Sequence, residues 1–334
     1  MSHYDLYAIG NALVDSEYQV SDALLKTMGV DKRHMTLIDT PRRAQLLAHV
    51  KNIPPRRTGG GSAGNTVVAL AQLGGRAFYS CKVAHDELGD FYVKDLQARG
   101  VDTNLNHTRA QEGQTGSCMV LVTPDAERSM CTFLGVSAEL DEIALHPHDI
   151  DRSKIYYMEG YLAASPTGLK AALAGRQRAV QAGVALALTL SDVSMIRFCK
   201  DGLTAMLGDG VDYLFANLEE AQVWCNTEDL DEMGLQLRKL AKTVCLTRGP
   251  DGCDVLTAQD AWHVPAEKVK AIDTNGAGDM FAGAFMFAIT HGFTPVQAAS
   301  LGNQAAAAVV SQHGNRLTTG QLNVIKSYVL PKIS

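Results

Sequence analysis

Asp273-Thr274-Asn275-Gly276-Ala277-Gly278-Asp279 runs directly into Met280-Phe281-Ala282-Gly283-Ala284-Phe285-Met286, so a loop of small residues feeds a strongly apolar helix. Such a loop presents bare amides at a helix start, and the helix dipole favours negative charge there. A phosphate fits that cradle. Asp279 falls in the same first turn, where the dipole favours its ionised form and where it can accept a proton from a hydroxyl attacking phosphorus. A lone capping acid after a Gly-rich turn is common chemistry. A cap needs one polar residue, however, and this segment supplies two acids beside Thr274 and Asn275.

A second flexible loop, Gly59-Gly60-Gly61-Ser62-Ala63-Gly64-Asn65, precedes a helical stretch at 66–73. Gly59, Gly61 and Gly64 satisfy G-x-G-x-x-G, which in a nicotinamide-dependent oxidoreductase follows a hydrophobic strand. Residues 53–58 (Ile-Pro-Pro-Arg-Arg-Thr) are too rich in proline and arginine to predict that strand. In the other reading the glycines let a neutral polyol lie against the backbone, and Asn65 supplies an amide donor and an acceptor to its hydroxyls. Asn11 and Asp15, in Gly10-Asn11-Ala12-Leu13-Val14-Asp15, fall just beyond the carboxyl end of a first strand, where open α/β sheets bind ligands. Asp15 can accept two vicinal hydroxyls or be a solvated strand residue. No G-x-x-x-x-G-K-[ST], H-R-D set or H-E-x-x-H occurs. Ser62 stands in a near match to G-x-S-x-G, but the sequence offers it no base, which argues against a hydrolase.

The elements that must position these residues alternate. Strand-like runs at 6–9, 77–83, 154–158, 184–189, 213–216 and 243–246 are separated by amphipathic helical stretches at 66–73, 88–99, 167–182 and 218–225, the pattern of a Rossmann-like, mainly parallel sheet covered on both faces. Two regions break the rhythm, 12–38 and 116–134, both read as antiparallel insertions. They are expected to form a small sheet that projects from a single α/β domain over 1–334 and acts as a lid. Near the end, one helix opens close to Gly276 and stops at Gly292. Another starts with Thr294 as N-cap, Pro295 at N1 and Gln297 completing a capping box, and ends before Gly314.

With 334 residues, 46% of them apolar, the chain has material for a large core. A net charge of −6 excludes a nucleic-acid binder driven by bulk positive charge. Seven cysteines scattered singly, with no C-x-x-C, fit reduced thiols in a cytosolic protein. The sequence from Met1 to Asp5 lacks a signal-peptide pattern, and no run reaches the roughly 18 apolar residues of a membrane span. A cytoplasmic monomer or homodimer acting on a small molecule is expected.

Together the two loops resemble the ribokinase (PfkB) family of carbohydrate and nucleoside kinases, over nearly the whole chain. Asp273 to Asp279 look like its C-terminal signature, and Gly60-Gly61 through Asn65 like its N-terminal one. The resemblance implies ATP as phosphoryl donor, with Asp279 as catalytic base, Gly276, Ala277 and Gly278 as anion hole, and Asn11, Asp15, Gly60, Gly61 and Asn65 at the acceptor. Asn217-Leu218-Glu219-Glu220 is similar to the family's N-x-x-E element, which implies that Asn217 and Glu220 organise Mg2+ and its waters. Thr247-Arg248-Gly249-Pro250-Asp251-Gly252 looks like the nucleotide loop, with Thr247, Gly249 and Gly252 at ATP, and Asn303 matches a position near the adenine. Asn217 with Glu220 can equally be a helix cap, and Gly249 with Gly252 a plain turn. By the same resemblance Asp273 stands near a loop that binds K+. Gly10 to Asp15, Glu159-Gly160-Tyr161-Leu162 with Ser165-Pro166, and Asn275 lean toward adenosine kinase-like members, in which a lid arginine, here Arg128, reaches the transferring phosphate. The loop from Gly61 to Asn65 looks closer to sugar-kinase members of ribose, fructose or 2-keto-3-deoxygluconate type.

Overall fold

The computed structural model describes residues 3–125 and 127–330; the extreme ends of the domain expected over 1–334, and residue 126 of the second insertion, lie outside the described residues. Fourteen strands, β1 to β14 in chain order, form two sheets among the described residues. The larger runs β14 (Ala261–Val264), β13 (Cys253–Thr257), β12 (Ala241–Thr247), β11 (Val211–Asn217), β10 (Ala185–Thr189), β9 (Ser153–Glu159), β1 (Tyr4–Ile9), β5 (Ala77–Ser80) and β6 (Val101–Thr103). Every pairing from β12 to β6 is parallel, and only β13 and β14 are antiparallel. The expected core strands all fall here, with ends displaced by a few residues.

β1 shows why these runs are continuously apolar. Leu6 and Ala8 enter one core and Tyr7 and Ile9 the other, so both faces of the strand are buried. The first core is roofed by the helices Ser62–Gln72, Ala277–Thr290 and Pro295–Val310, the second by Pro166–Ala182, Lys200–Leu207 and Leu218–Cys225. The result is a three-layer α/β unit. Ala277–Thr290 is buried from Met280 to Ala288, because helices flank it as well as the sheet. The capping box of Thr294 and Gln297 is present as expected.

The smaller sheet runs β3 (Met35–Leu37), β8 (Arg128–Phe133), β7 (Ser117–Val122), β2 (Leu13–Gln19) and β4 (Arg56–Gly60). β2 and β3 come from 12–38, β7 and β8 from 116–134, and β4 from neither. The expectation of simple antiparallel insertions is corrected: β2–β4 and β7–β8 are antiparallel, but β2–β7 and β3–β8 are parallel, since strands from two separate stretches interleave. A second correction concerns residues 53–58. Pro54 and Pro55 stop just before β4, and at the sheet edge the strand tolerates the arginines that follow. Because β4 lies in the small sheet and pairs antiparallel to β2, no core parallel strand feeds the Gly59–Gly64 loop, and the nicotinamide reading lacks the βα unit it requires.

Tyr18, Leu25, Met28, Leu46, Met119 and Leu121 form a separate core on one face of the small sheet, under the helices Asp22–Thr27 and Thr40–Val50. Asp15, Glu17, Thr58, Val120 and Arg128 instead line a narrow cleft completed by Asn275, Gly314 and Asn315 of the large unit. No helix among the described residues is long and apolar enough to cross a membrane, and all seven cysteines are unpaired.

Candidate active site

Both glycine loops deliver helix N-termini to one place. Gly276 caps Ala277–Thr290 at φ 77°, and a Cβ there would lie 2.7 Å from the Asn315 side chain. Gly61 caps Ser62–Gln72 at φ 86°, where a Cβ would lie 2.1 Å from the Asn11 carbonyl oxygen. Only glycine satisfies either position. The Ala277 N–H turns back to the Thr274 carbonyl at 3.3 Å, whereas the amides of Gly276, Gly278 and Asp279 meet no protein acceptor among the described residues. Exposed Gly278 leaves that cradle open to an anion.

Asp279 is held from the opposite loop. Ser62 donates its hydroxyl to Oδ1 at 2.6 Å, and Asn65 donates Nδ2–H to Oδ2 at 2.9 Å. Burial pushes the carboxyl up to about 6, and these two donors and Arg316 pull against that. The carboxylate is fixed, near neutrality in its proton affinity, and in the same first turn as the free amides, an arrangement able to accept a proton beside a bound anion. Ser62, for which the sequence offered no base, thus has a carboxylate partner. No histidine bonds either group among the described residues, so no hydrolase triad is assembled.

Asp15 accepts from Asn315 Nδ2 at 3.0 Å, and burial pushes it up to about 6. Gly60, its neighbour on β4, leaves room for that carboxylate: a Cβ would lie 2.7 Å from either oxygen. Asn11 is turned elsewhere. Its backbone N–H and Nδ2–H both donate to Glu159 Oε1, at 2.6 and 2.8 Å, and its Oδ1 accepts from Ser137 at 3.3 Å. Glu159, fully buried, also accepts from Ala63 N at 2.8 Å and is pushed by burial up to about 7.

Arg128 does not point into open space. Its Nη1 donates to Asp273 Oδ2 and its Nη2 to Glu17 Oε2 at 2.6 Å. Asp273 also accepts from the amides of Asn275, at 3.1 Å, and Gly314, at 3.0 Å. A guanidinium and two amides therefore surround the acid that the resemblance places near K+.

The expected nucleotide residues gather at other strand ends. Asn217 and Thr247 are cross-strand neighbours closing β11 and β12. Asn217 and Glu220 form the capping box: Asn217 Oδ1 accepts from Glu220 N at 2.8 Å, while Asn217 N and Nδ2 donate to the Glu220 carboxylate at 3.0 and 2.7 Å. Glu220 is buried and pushed up to about 7. Gly249 and Gly252 shape a tight turn, with Gly252 N donating to the Gly249 carbonyl at 3.2 Å. This turn abuts a cleft of about 330 Å3 lined by Arg248, Pro250, Asp251, His263, Pro265, Ala266 and Lys268. Asn303 is buried and donates Nδ2–H to the carbonyls of Val264 and Pro265, so it supports the cleft wall. Among the described residues no group of three or more His, Cys, Asp or Glu side chains could hold a metal ion. A single buried acid such as Glu220 suits an ion whose remaining ligands are phosphates and waters.

Glu159, Tyr161 and Arg316 were given no role from the sequence. Half-buried Tyr161 lies within electrostatic reach of Asp192, Asp279, Glu159 and Glu220. Arg316 donates Nε–H to Asn65 Oδ1 at 2.9 Å and Nη1–H to Asp95 Oδ2 at 2.5 Å. Gly314-Asn315-Arg316, polar residues in a turn just beyond a helix, were the available signal.

Residues 35–320 match the profile described as pfkB family carbohydrate kinase. The chain is 34% identical to a solved structure of adenosine kinase from Sinorhizobium meliloti, with TM-score 0.87 and coverage of 97% of this chain and 99% of that one. A structure from Rhizobium etli CFN 42 described as a "probable sugar kinase protein" is 33% identical, with TM-score 0.86 and coverage of 98% and 99%. Adenosine kinase 2 of Arabidopsis thaliana is 25% identical over 94% of this chain and 96% of its own. With this fold and these loops, the chain belongs to the pfkB family of carbohydrate kinases, in its adenosine kinase-like branch, and is a phosphotransferase with a hydroxyl group as acceptor.

Proposed function

We propose that this protein transfers the terminal phosphoryl group of ATP to a primary hydroxyl of a nucleoside of the adenosine type. The observation that carries the reading is Asp279, fixed by Ser62 and Asn65 at the first turn of a helix whose leading amides are free. There it takes the proton of the attacking hydroxyl, while the amides around Gly278 meet the charge that develops on the transferred group. Asp15, within electrostatic reach of Asp279, accepts hydroxyls of the sugar ring. ATP occupies the basic cleft beside Gly249 and Gly252. Glu220, paired with Asn217 in the capping box, would help hold Mg2+, which when bound would screen the phosphate charge. The small sheet, which carries Asp15 on β2, keeps out the water that would otherwise consume ATP.

A nucleoside is favoured over a bare sugar by an apolar cleft of about 450 Å3 between the small sheet and the large unit, lined by Leu37, Ile38, Phe133, Leu134 and Val136 among others. Its wall at Leu134 adjoins Ala12 and Leu13, which lead into Asp15. A flat base can bury its faces there, and a furanose alone leaves that surface wet. A sugar acceptor is the second reading, supported by the 33% identical structure named above.

The test is ADP release with adenosine, inosine, guanosine, ribose, fructose and 2-keto-3-deoxygluconate as acceptors. Adenosine is expected to give the highest kcat/KM. A sugar outperforming every nucleoside selects the second reading, and no ADP release with any acceptor contradicts both.

A further inference from the structure

The Asn65 side chain that steadies Asp279 is itself held from behind. Arg316 Nε–H donates to Asn65 Oδ1 at 2.9 Å, and Asn65 Nδ2–H donates to Asp279 Oδ2 at 2.9 Å, so three side chains form one directed chain. The two ends of a carboxamide are nearly the same shape, and only their partners decide which faces which way. A guanidinium carries donors and no acceptor, so a flipped Asn65 would set N–H against N–H at Arg316 and oxygen against oxygen at Asp279.

Arg316 is built to be immobile. Its side chain is 5% exposed and anchored to Asp95 on the helix Glu87–Ala98. Asp95 also accepts from Arg99 Nε at 2.9 Å. One carboxylate shared by two guanidinium groups leaves positive charge over, and that charge reaches Asp15 and Asp279.

We propose that Arg316 is a positioning residue for phosphoryl transfer: it fixes the orientation of the Asn65 amide and thereby the hydrogen bond that holds the Asp279 carboxylate. This rests on the reading of Asp279 as the base. Facing Asp279 are Asp15 from β2, Tyr157 and Glu159 from β9, Tyr161 just beyond it, and Arg316, with Arg128 acting on Asp15. Burial and the neighbouring acids Asp15 and Glu159 disfavour ionisation of Asp279 while Arg316 favours it, so loss of the Arg316 charge moves its titration to higher pH.

The experiment is a double-mutant cycle between Arg316→Gln and Asn65→Ala, together with a 13C titration of the Asp279 carboxyl, whose signal is identified by its loss in Asp279→Asn. Arg316→Gln is expected to lower kcat by about tenfold or more with KM for ATP within about twofold. In the Asn65→Ala background the same change is expected to cost less than about twofold, because the residue it acts through is gone. The carboxyl midpoint moves to higher pH in Arg316→Gln and stays near its original position in Arg316→Lys, which keeps the charge. Equal losses in both backgrounds, or an unmoved midpoint, overturn the proposal. If Arg316→Gln does not fold, Arg316→Lys enters the cycle: its loss of the rigid fork lowers kcat only where Asn65 is present, and equal losses again overturn it. If the unsubstituted protein phosphorylates no acceptor, the functional reading fails separately, and the turnover-free titration still decides for or against Arg316.

Discussion

Arg128 and Asp273 join the small sheet to the loop that precedes the Asp279 helix: Arg128 Nη1 donates to Asp273 Oδ2 while Nη2 reaches Glu17. One planar fork divides itself between an acid of its own sheet and an acid of the large unit. In the proposed reading, a phosphate that drew on Arg128 would have to compete with Asp273 for this cation.

Arg128→Ala is expected to lower kcat by roughly 10- to 100-fold and to leave buried Asp273 without its cation. Arg128→Lys is expected to recover little, since an ammonium lacks the planar fork whose two ends meet Asp273 and Glu17 in fixed directions. Steady-state kinetics of both variants, with thermal melts alongside, check this; wild-type turnover in Arg128→Ala removes the arginine from the reaction.

Activity and stability should move in opposite directions with pH. Asp279 must be ionised to act, and burial places its midpoint at about 6, so kcat/KM is expected to rise through that value rather than near pH 4. Asp15 at about 6 and Glu159 and Glu220 at about 7 are raised by burial as well. Between about pH 4 and pH 7 the folded chain binds more of these protons than the unfolded chain, so their contribution to stability is complete at the acid end and lost as pH rises. Acids held low, such as Asp86, act in the opposite sense below that window. Urea denaturation at pH 5 and pH 8 checks the sign, with the higher midpoint expected at pH 5.

Much of this architecture was readable because buried parallel strands and capped helices leave strong local marks. The six core strands, the helix after Gly276 and the capping box at Thr294 all follow from patterns within a dozen residues. β4 was missed because Arg56 and Arg57 look wrong for a core strand, and an edge strand of the small sheet has no core to satisfy. At the site, Asp279 and Asn65 could be found because each sits in a glycine loop whose purpose is local. Arg316 could not: it is 251 residues from Asn65 and 221 from Asp95, and nothing short of the folded chain brings the three together.

Asn217 caps a helix, and the proposed Mg2+ role is separable from that. As N-cap of Leu218–Cys225 it is worth about 1 kcal/mol, so Asn217→Ala is expected to lower stability by that amount. If Asn217 also orients Glu220 toward a hydrated Mg2+, the same variant needs severalfold more Mg2+ for half-maximal activity. Denaturation curves read the first effect and Mg2+ titrations of turnover the second; an unchanged Mg2+ requirement leaves the cap alone.

The central claim is that Asp279 removes the acceptor proton, and the direct measurement is ADP release by Asp279→Asn with nucleotide binding followed in parallel. The substitution keeps the size of the side chain and removes its basicity. The account predicts kcat lower by at least about 100-fold with ATP affinity little changed. Near-normal turnover in Asp279→Asn would contradict it.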